Sequence, residues 1–344
     1  MSVESSKAAF GDRPTPARRA AIGFLLDHLV WFILLAVLMV FSLTIDNFLQ
    51  VGIFLNIARQ ATFVGIMSVG LAMVIIAGHM DLSIESVMAF SAMVAAYLFG
   101  SHGAGLGLAL DPPWLVVPAT LALSLLAGAL FGLINGYLIV RLGINAFIVT
   151  LASFIYVRGF VVALTGGRSV FGLPDALRQV AIGSVAGVPI LVILLIAVFA
   201  VFLLLLRHTP FGRHLYMVGG NPTAPYRAGI AVDRLVMTAF LLSGALAALA
   251  GWLLAARTAG ATANLGTGTL FEAFAAVVIG GVSLKGGVGR LSGVFAGVLL
   301  LSSIDTAINV MGMPPHFTQV IRGGLVLAAV LLDTLKMTIR RRYL

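Results

Sequence analysis

Residues 114–140 read WLVVPATLALSLLAGALFGLINGYLIV, 27 positions without one charged side chain. As a helix rising 1.5 Å per residue this stretch would be about 40 Å long, more than the roughly 30 Å of hydrocarbon in a bilayer. Its apolar residues run on without the strict alternation of a barrel strand, so the segment reads as a membrane-crossing helix. A helix also satisfies every backbone polar group internally, which the interior of a bilayer demands.

Similar blocks lie on both sides of it, near 29–45, 60–78, 84–100, 145–165, 188–206, 235–256, 269–282, 291–310 and 317–335. The sequence therefore predicts an all-α polytopic membrane protein of about ten transmembrane helices. The eighth block is short: its 14 residues would reach only about 21 Å, which suggests a broken or re-entrant helix lying against protein. Composition agrees, since 60% of the 344 residues are hydrophobic and 10% are charged, against about 25% charged in a soluble domain. The absence of Cys rules out disulfides, thiolate metal sites and a Cys nucleophile.

The domain plan is a polar cytoplasmic tail over 1–28, a transmembrane domain over 29–335 and a basic cytoplasmic tail over 336–344. No apolar core followed by a small-residue cleavage site marks the start as a signal peptide. Basic residues favour the cytoplasmic side of a membrane. With the N-terminus inside, only Arg59, Arg158, Arg168, Arg178, Arg257 and Arg322 fall on the outer half, six of 21 Lys and Arg residues. An even number of spans then brings the C-terminus back to the cytoplasm. The net charge of +9 accordingly reads as loop topology and not as nucleic-acid binding. Residues 207–234, with four arginines and two histidines, form the longest inside connection.

Gly-Lys-Ser and Gly-Lys-Thr are absent, so the chain carries no P-loop and any nucleotide energy must come from another subunit. The run from Gly280 to Gly289 has no preceding strand and reads as a tight interhelical turn. Gly128 with Gly132, and Gly293 with Gly297, have the spacing of close helix packing. Ionisable residues at membrane depth are costly, and those expected there are Asp81, Glu85, Glu272, Asp305 and Arg322. Only Glu272 falls well inside a span without a helix end to explain it. No set of these has metal-ligand spacing. Asp81 and Ser83, between two apolar runs, can cap the third helix. Asn135, Asn145, Asn264 and Asn309 can end helices or touch a hydroxyl-rich solute.

Four strings, Gly78-His79-Met80-Asp81-Leu82-Ser83, Asn135-Gly136-Tyr137-Leu138, Gly212 through Gly219-Gly220-Asn221 to Gly229-Ile230, and Ala275 through Gly280-Gly281 to Gly286-Gly287, occur in order between matching apolar blocks. Together they resemble the permease subunits of ATP-driven importers of the ribose-type monosaccharide family. The resemblance implies a bacterial inner-membrane subunit that is no enzyme itself and holds no cofactor, with ATP and Mg bound by two cytosolic ATPase domains. It implies a second permease subunit, identical or sister, a periplasmic sugar-binding protein and an uncharged monosaccharide as cargo, in contact with membrane lipid. It also implies a short helix that docks on the ATPase, here within 220–230, with Gly220, Asn221, Ala224, Tyr226, Arg227, Gly229 and Ile230 as coupling residues. Asp81, Ser83, Asn135, Asn145, Asn264, Glu272 and Asn309 are the candidates for the solute path or its gate.

Departures from the family pattern are His79 and Glu85 where glycines are usual, and Glu272 where Asp is frequent. Pro222 and Pro225 predict a docking helix that is short or shifted toward 226–230. Two rival readings exist. A secondary carrier would use Glu272 for ion or proton coupling. A membrane enzyme acting on a lipid-linked sugar would need paired carboxylates or a metal set, neither of which the sequence displays.

Overall fold

The charge-free stretch folds as the helix Val116–Arg141, entered through a short 3-10 turn at Pro113–Leu115. It is α4 of the twelve helices between residues 16 and 313 in the computed structural model, which describes those residues and the further helical positions Phe317, Val320, Ile321, Gly323, Gly324, Leu327 and Leu331. The others in order are α1 (Pro16–Thr44), α2 (Val51–Ile76), α3 (Ile84–Phe99), α5 (Ala146–Thr165), α6 (Asp175–Ile182), α7 (Ile190–His208), α8 (Pro210–Gly220), α9 (Thr223–Arg227), α10 (Val232–Thr258), α11 (Thr269–Ile279) and α12 (Leu291–Val310).

Among the described residues six helices are long and apolar enough to cross a bilayer: Val51–Ile76, Pro113–Arg141, Ala146–Thr165, Ile190–His208, Val232–Thr258 and Leu291–Val310. His28–Thr44, Ile84–Phe99 and Thr269–Ile279 are shorter apolar helices. The tenth expected span, 317–335, lies largely outside the described residues, as do Arg322 and the tail 336–344.

Two boundaries differ from the sequence reading. The first helix already covers 16–28, inside the expected tail, because the alanines, arginines and leucines there favour helix after hydropathy has fallen. The second begins at Val51, not at 60, so Arg59 stands inside α2 and not in a loop. One arginine does not end a helix, since its methylene stem lies along apolar surface.

Two helices form the centre. α2 is buried from Ala61 to Ile76, and α10 packs against α4, α3 and α2. Between apolar helices in lipid, association depends on backbone approach and close van der Waals contact. At the α4–α10 crossing a Cβ on Gly128 would stand 2.4 Å from Gly244 O, and one on Gly132 would stand 2.2 Å from Phe240 O. The expected packing role of these glycines is therefore borne out, and the same holds for Gly293 and Gly297, set against Gly280 O and Ala276 O. α12 packs on α2, α11 and α1, while α4, α5 and α7 leave most of their apolar surface exposed.

At one end of the bundle two-residue strands pair antiparallel in the order β1 (His102–Gly103), β2 (Val170–Phe171), β5 (Gly260–Ala261). A small hairpin joins β3 (Ser184–Val185) to β4 (Val188–Pro189) at the same end. α8 and α9 mark the opposite end.

Candidate functional site

Between α2 and α3 the chain breaks at Gly78, whose φ of +84° suits a residue without a side chain, and residues 79–83 re-enter the bundle. Asp81 is 1% exposed. Its Oδ1 accepts from the Ser83 backbone N–H at 3.0 Å and from the Ser83 hydroxyl at 2.6 Å, and its Oδ2 accepts from the Ser243 hydroxyl of α10 at 2.9 Å. The cap on this turn is thus the carboxylate, and Ser83 itself caps nothing. Ser83 Oγ accepts from Asn135 Nδ2 of α4 at 3.0 Å, and Asn135 Oδ1 accepts from Ser153 Oγ of α5. The Tyr156 hydroxyl lies 3.3 Å from Ser153 Oγ, at the exposed face of α5.

Three of the expected residues, Asp81, Ser83 and Asn135, therefore meet in one buried chain that ties three helices, α4, α5 and α10, to the α2–α3 break. The sequence reading missed Ser153 and Ser243. Each sits one side chain deep in a long apolar helix, and nothing local distinguishes it from a hydroxyl bonded to its own backbone.

Removing the carboxylate strands three donors in an apolar interior, each costing about 1–3 kcal/mol. Asp81→Ala is therefore expected to destabilise the bundle by at least about 1–3 kcal/mol, read as a lowered thermal midpoint in nanodiscs. Asp81→Asn, which keeps one acceptor, should fall between it and wild type. A wild-type midpoint in the Ala variant would show that the network does not hold the break in place.

One turn further along α3, Glu85 is 3% exposed. Its Oε1 accepts from Arg158 Nη2 of α5 at 2.9 Å, and its Oε2 accepts from the backbone N–H groups of Gly268 and Leu270 at 2.9 and 3.2 Å. Arg158 also donates to the carbonyls of Ala263 and Leu265, at 2.6 and 3.3 Å. The carboxylate thus caps the N-terminus of α11, where the helix dipole favours negative charge. α11 starts level with Met88 of α3, against which Gly251 packs, about two turns before α10 ends. With 11 residues it extends about 16 Å, as expected of a broken or re-entrant helix.

Two corrections follow. Arg158, counted with the outer basic residues, is a half-buried ion-pair partner of Glu85. Glu272, taken as the carboxylate lying well inside a span, stands half-buried in the first turn of α11, a helix end. Charge patterning does not show which buried ions meet, and Glu85 was legible only as an ionisable residue at depth.

At the α8/α9 end a second convergence occurs. A Cβ on Gly219 would stand 1.7 Å from Ile76 O and 2.5 Å from Gly287 N, and Gly287 N–H donates to Ile76 O at 2.9 Å. The C-terminus of α8, the end of α2 and the glycine turn before α12 therefore touch backbone to backbone. The run from Gly280 to Gly289 is the tight turn expected of it, with Gly281, Gly286 and Gly287 at positive φ.

Beyond Gly220, the Asn221 side chain accepts from the backbone and hydroxyl of Thr223, and α9 follows over five residues. The helix is short as Pro222 and Pro225 require, but it is not shifted toward 226–230. Pro225 falls within its first turn, where no intrahelical bond is lost. Ala224, Tyr226, Arg227 and Gly229 are exposed and Ile230 is half-buried, a surface open to a partner.

The remaining candidates lie apart. Asn145 caps α5 by accepting from Phe147 N–H at 2.9 Å. Asn264 is exposed in the loop before α11, and Asn309 is exposed in the last turn of α12. Among the described residues no three His, Asp or Glu side chains gather as metal ligands.

Comparison with known proteins meets this geometry. A family described as "Branched-chain amino acid transport system / permease component" matches residues 53–330. A ribose import permease protein of Haemophilus influenzae is 32% identical, over 90% of this chain and 94% of its own length. An L-arabinose ABC transporter permease protein of Azospirillum brasilense is 36% identical, over 91% and 88%. A ribose import permease protein of Escherichia coli K12 is 34% identical, over 88% and 92%. No solved structure matches. A match over almost the whole helical bundle, including the α2–α3 break, α11 and the α8–α9 connection, means that the chain belongs to this family of transport-system permeases.

Proposed function

We propose that the chain is the transmembrane subunit of an ATP-driven importer that moves a monosaccharide through alternating access. The observation that carries the reading is the glycine junction: the α8–α9 connection meets the end of α2 three to five residues before the Asp81 network. A displacement of α8 reaches Asp81 and Ser83 through Ile76 and the short turn at Gly78. ATP binding on a partner closes the partner, and the rigid contact converts that closure into a shift between two arrangements of the helices.

In this reading the chain makes ten crossings of the bacterial inner membrane, both tails (1–28 and 336–344) are cytoplasmic, and the domain 29–335 carries the path. Residues 207–234 form the coupling loop, docking through Gly220, Asn221, Ala224, Tyr226, Arg227, Gly229 and Ile230. ATP and Mg sit in two cytosolic ATPase domains and none in this chain. A second permease, identical or sister, completes the path. A periplasmic binding protein delivers the sugar, in keeping with relatives named for ribose, arabinose and xylose.

Reconstitution tests the whole. Uptake should require the ATPase and ATP, and uptake by the purified chain alone, driven by an ion gradient, would replace this reading with a secondary carrier. Arg227→Glu tests the docking surface. It is expected to reduce ATPase stimulation about tenfold or more, since a like-for-opposite charge exchange at an interface costs several kcal/mol. Unchanged stimulation and assembly would place the docking site elsewhere.

A further inference from the structure

Where α7, α8 and α12 meet, at the α8/α9 end, a cavity of about 550 Å³ opens. Leu203, Leu206 and Arg207 of α7 contribute one wall at helical spacing, Tyr216 of α8 the floor, and Arg290 and Ser292 the start of α12. No acidic residue is among the lining. The Tyr216 hydroxyl donates to Gly289 O at 3.0 Å, which holds α8 against the turn leading into α12. The lining therefore has two characters, leucine toward the bundle centre and guanidinium at the end.

The setting says what fits. α7 leaves Ile193, Ile196, Val201 and Leu204 exposed, an apolar face that in a bilayer lies against acyl chains and runs down to the cavity. A soluble anion has no use for two leucines or for this much space, whereas a phosphate with glycerol and the first methylenes attached uses both halves. Guanidinium groups bind phosphate oxygens through paired N–H donors.

We propose that this cavity binds the headgroup of an anionic phospholipid from the leaflet on the α8/α9 side. Arg207 and Arg290 hold the phosphate while Leu203 and Leu206 take the upper acyl chain. The lipid then fills the space between α7, α8 and α12 and supports α8, whose far end forms the glycine junction. The proposal rests on the reading of the bundle as membrane-spanning but not on any role of α9, so its test uses neither ATPase nor sugar.

The purified full chain is placed in phosphatidylcholine nanodiscs, phosphatidylglycerol is titrated in, and retained lipid is counted by native mass spectrometry. Wild type should retain phosphatidylglycerol in preference to phosphatidylcholine. Arg207→Gln/Arg290→Gln should weaken that retention about thirtyfold for the pair. Arg207→Lys, which keeps the charge, should lose far less, and the thermal midpoint of each variant in phosphatidylcholine alone separates lost binding from lost folding. Equal retention of the two lipids, or undiminished retention by a folded double variant, overturns the proposal. Displacement of phosphatidylglycerol by millimolar inorganic phosphate overturns the choice of a lipid and assigns the cavity to a soluble anion.

Discussion

Glu85→Gln is expected to destabilise the protein by about 3 kcal/mol and to reduce uptake to a few per cent or less, because it leaves the half-buried Arg158 without its counter-charge. The carboxylate does two jobs with two oxygens. One neutralises Arg158, and the other closes the N–H groups that open α11. Glutamine offers a single acceptor and a donor, and the donor would face either a guanidinium or a helix N-terminus, both of which repel it. Arg158→Gln should cost a similar amount, by leaving Glu85 charged in an apolar setting and by releasing the carbonyls of Ala263 and Leu265.

The double variant distinguishes a latch from two independent residues. If the pair acts as a unit, Glu85→Gln/Arg158→Gln should be more stable than the sum of the single losses by about 1–3 kcal/mol, measured by thermal unfolding in nanodiscs. It should still transport poorly, since nothing then holds the start of α11 to α3 and α5. Additive losses in the double variant would mean that the two side chains do not couple. Recovered uptake would mean that the tether is dispensable for transport.

Gly219→Ala should act at the other end. An added Cβ would lie 1.7 Å from Ile76 O, and because its neighbours are backbone atoms, no rotamer change relieves the clash. α8 must move away from α2 and from the turn at Gly287, at a cost of about 1–3 kcal/mol typical of overpacking. Under the coupling proposal this movement breaks the mechanical link, so ATP-driven uptake should fall at least tenfold while binding of the ATPase through α9 persists. Gly52→Ala, at a site where an added Cβ meets nothing within 4 Å, provides the comparison and should transport like wild type. Equal activity of the two variants would show that the junction does not transmit.

The two ends of this machinery differed in how much of them the sequence displayed. The α2–α3 break was legible because Gly78, Asp81 and Ser83 interrupt an apolar run, and the half-length α11 because 14 residues cannot cross the hydrocarbon. Asn145 was legible as a cap. The Asp81 network was half legible, through Asp81, Ser83 and Asn135. Its other members, Ser153 and Ser243, are common residues in apolar helices, and only the approach of α5 and α10 makes them partners.

Burial could not be read in the same way. In a soluble protein an apolar stripe marks the buried face, but here α7 and the stretch 61–76 of α2 are both almost wholly apolar, and one is mostly exposed while the other is central. Lipid and protein interior are equally apolar, so hydrophobic periodicity carries little information about which face is inside.

By itself the sequence determined the class of the protein, a helical bundle for a bilayer, since the missing charges allow no other solvent. It also determined where the helices break and that the chain carries no P-loop of its own. Tertiary structure alone decided which polar groups share the interior: Glu85 with Arg158 and the start of α11, Asp81 with Ser243, Gly219 with Ile76. The partners in these contacts are 73 to 185 residues apart along the chain. A helix satisfies its own backbone locally, but a buried side chain must find its partner on another helix, and that choice exists only once the helices are packed.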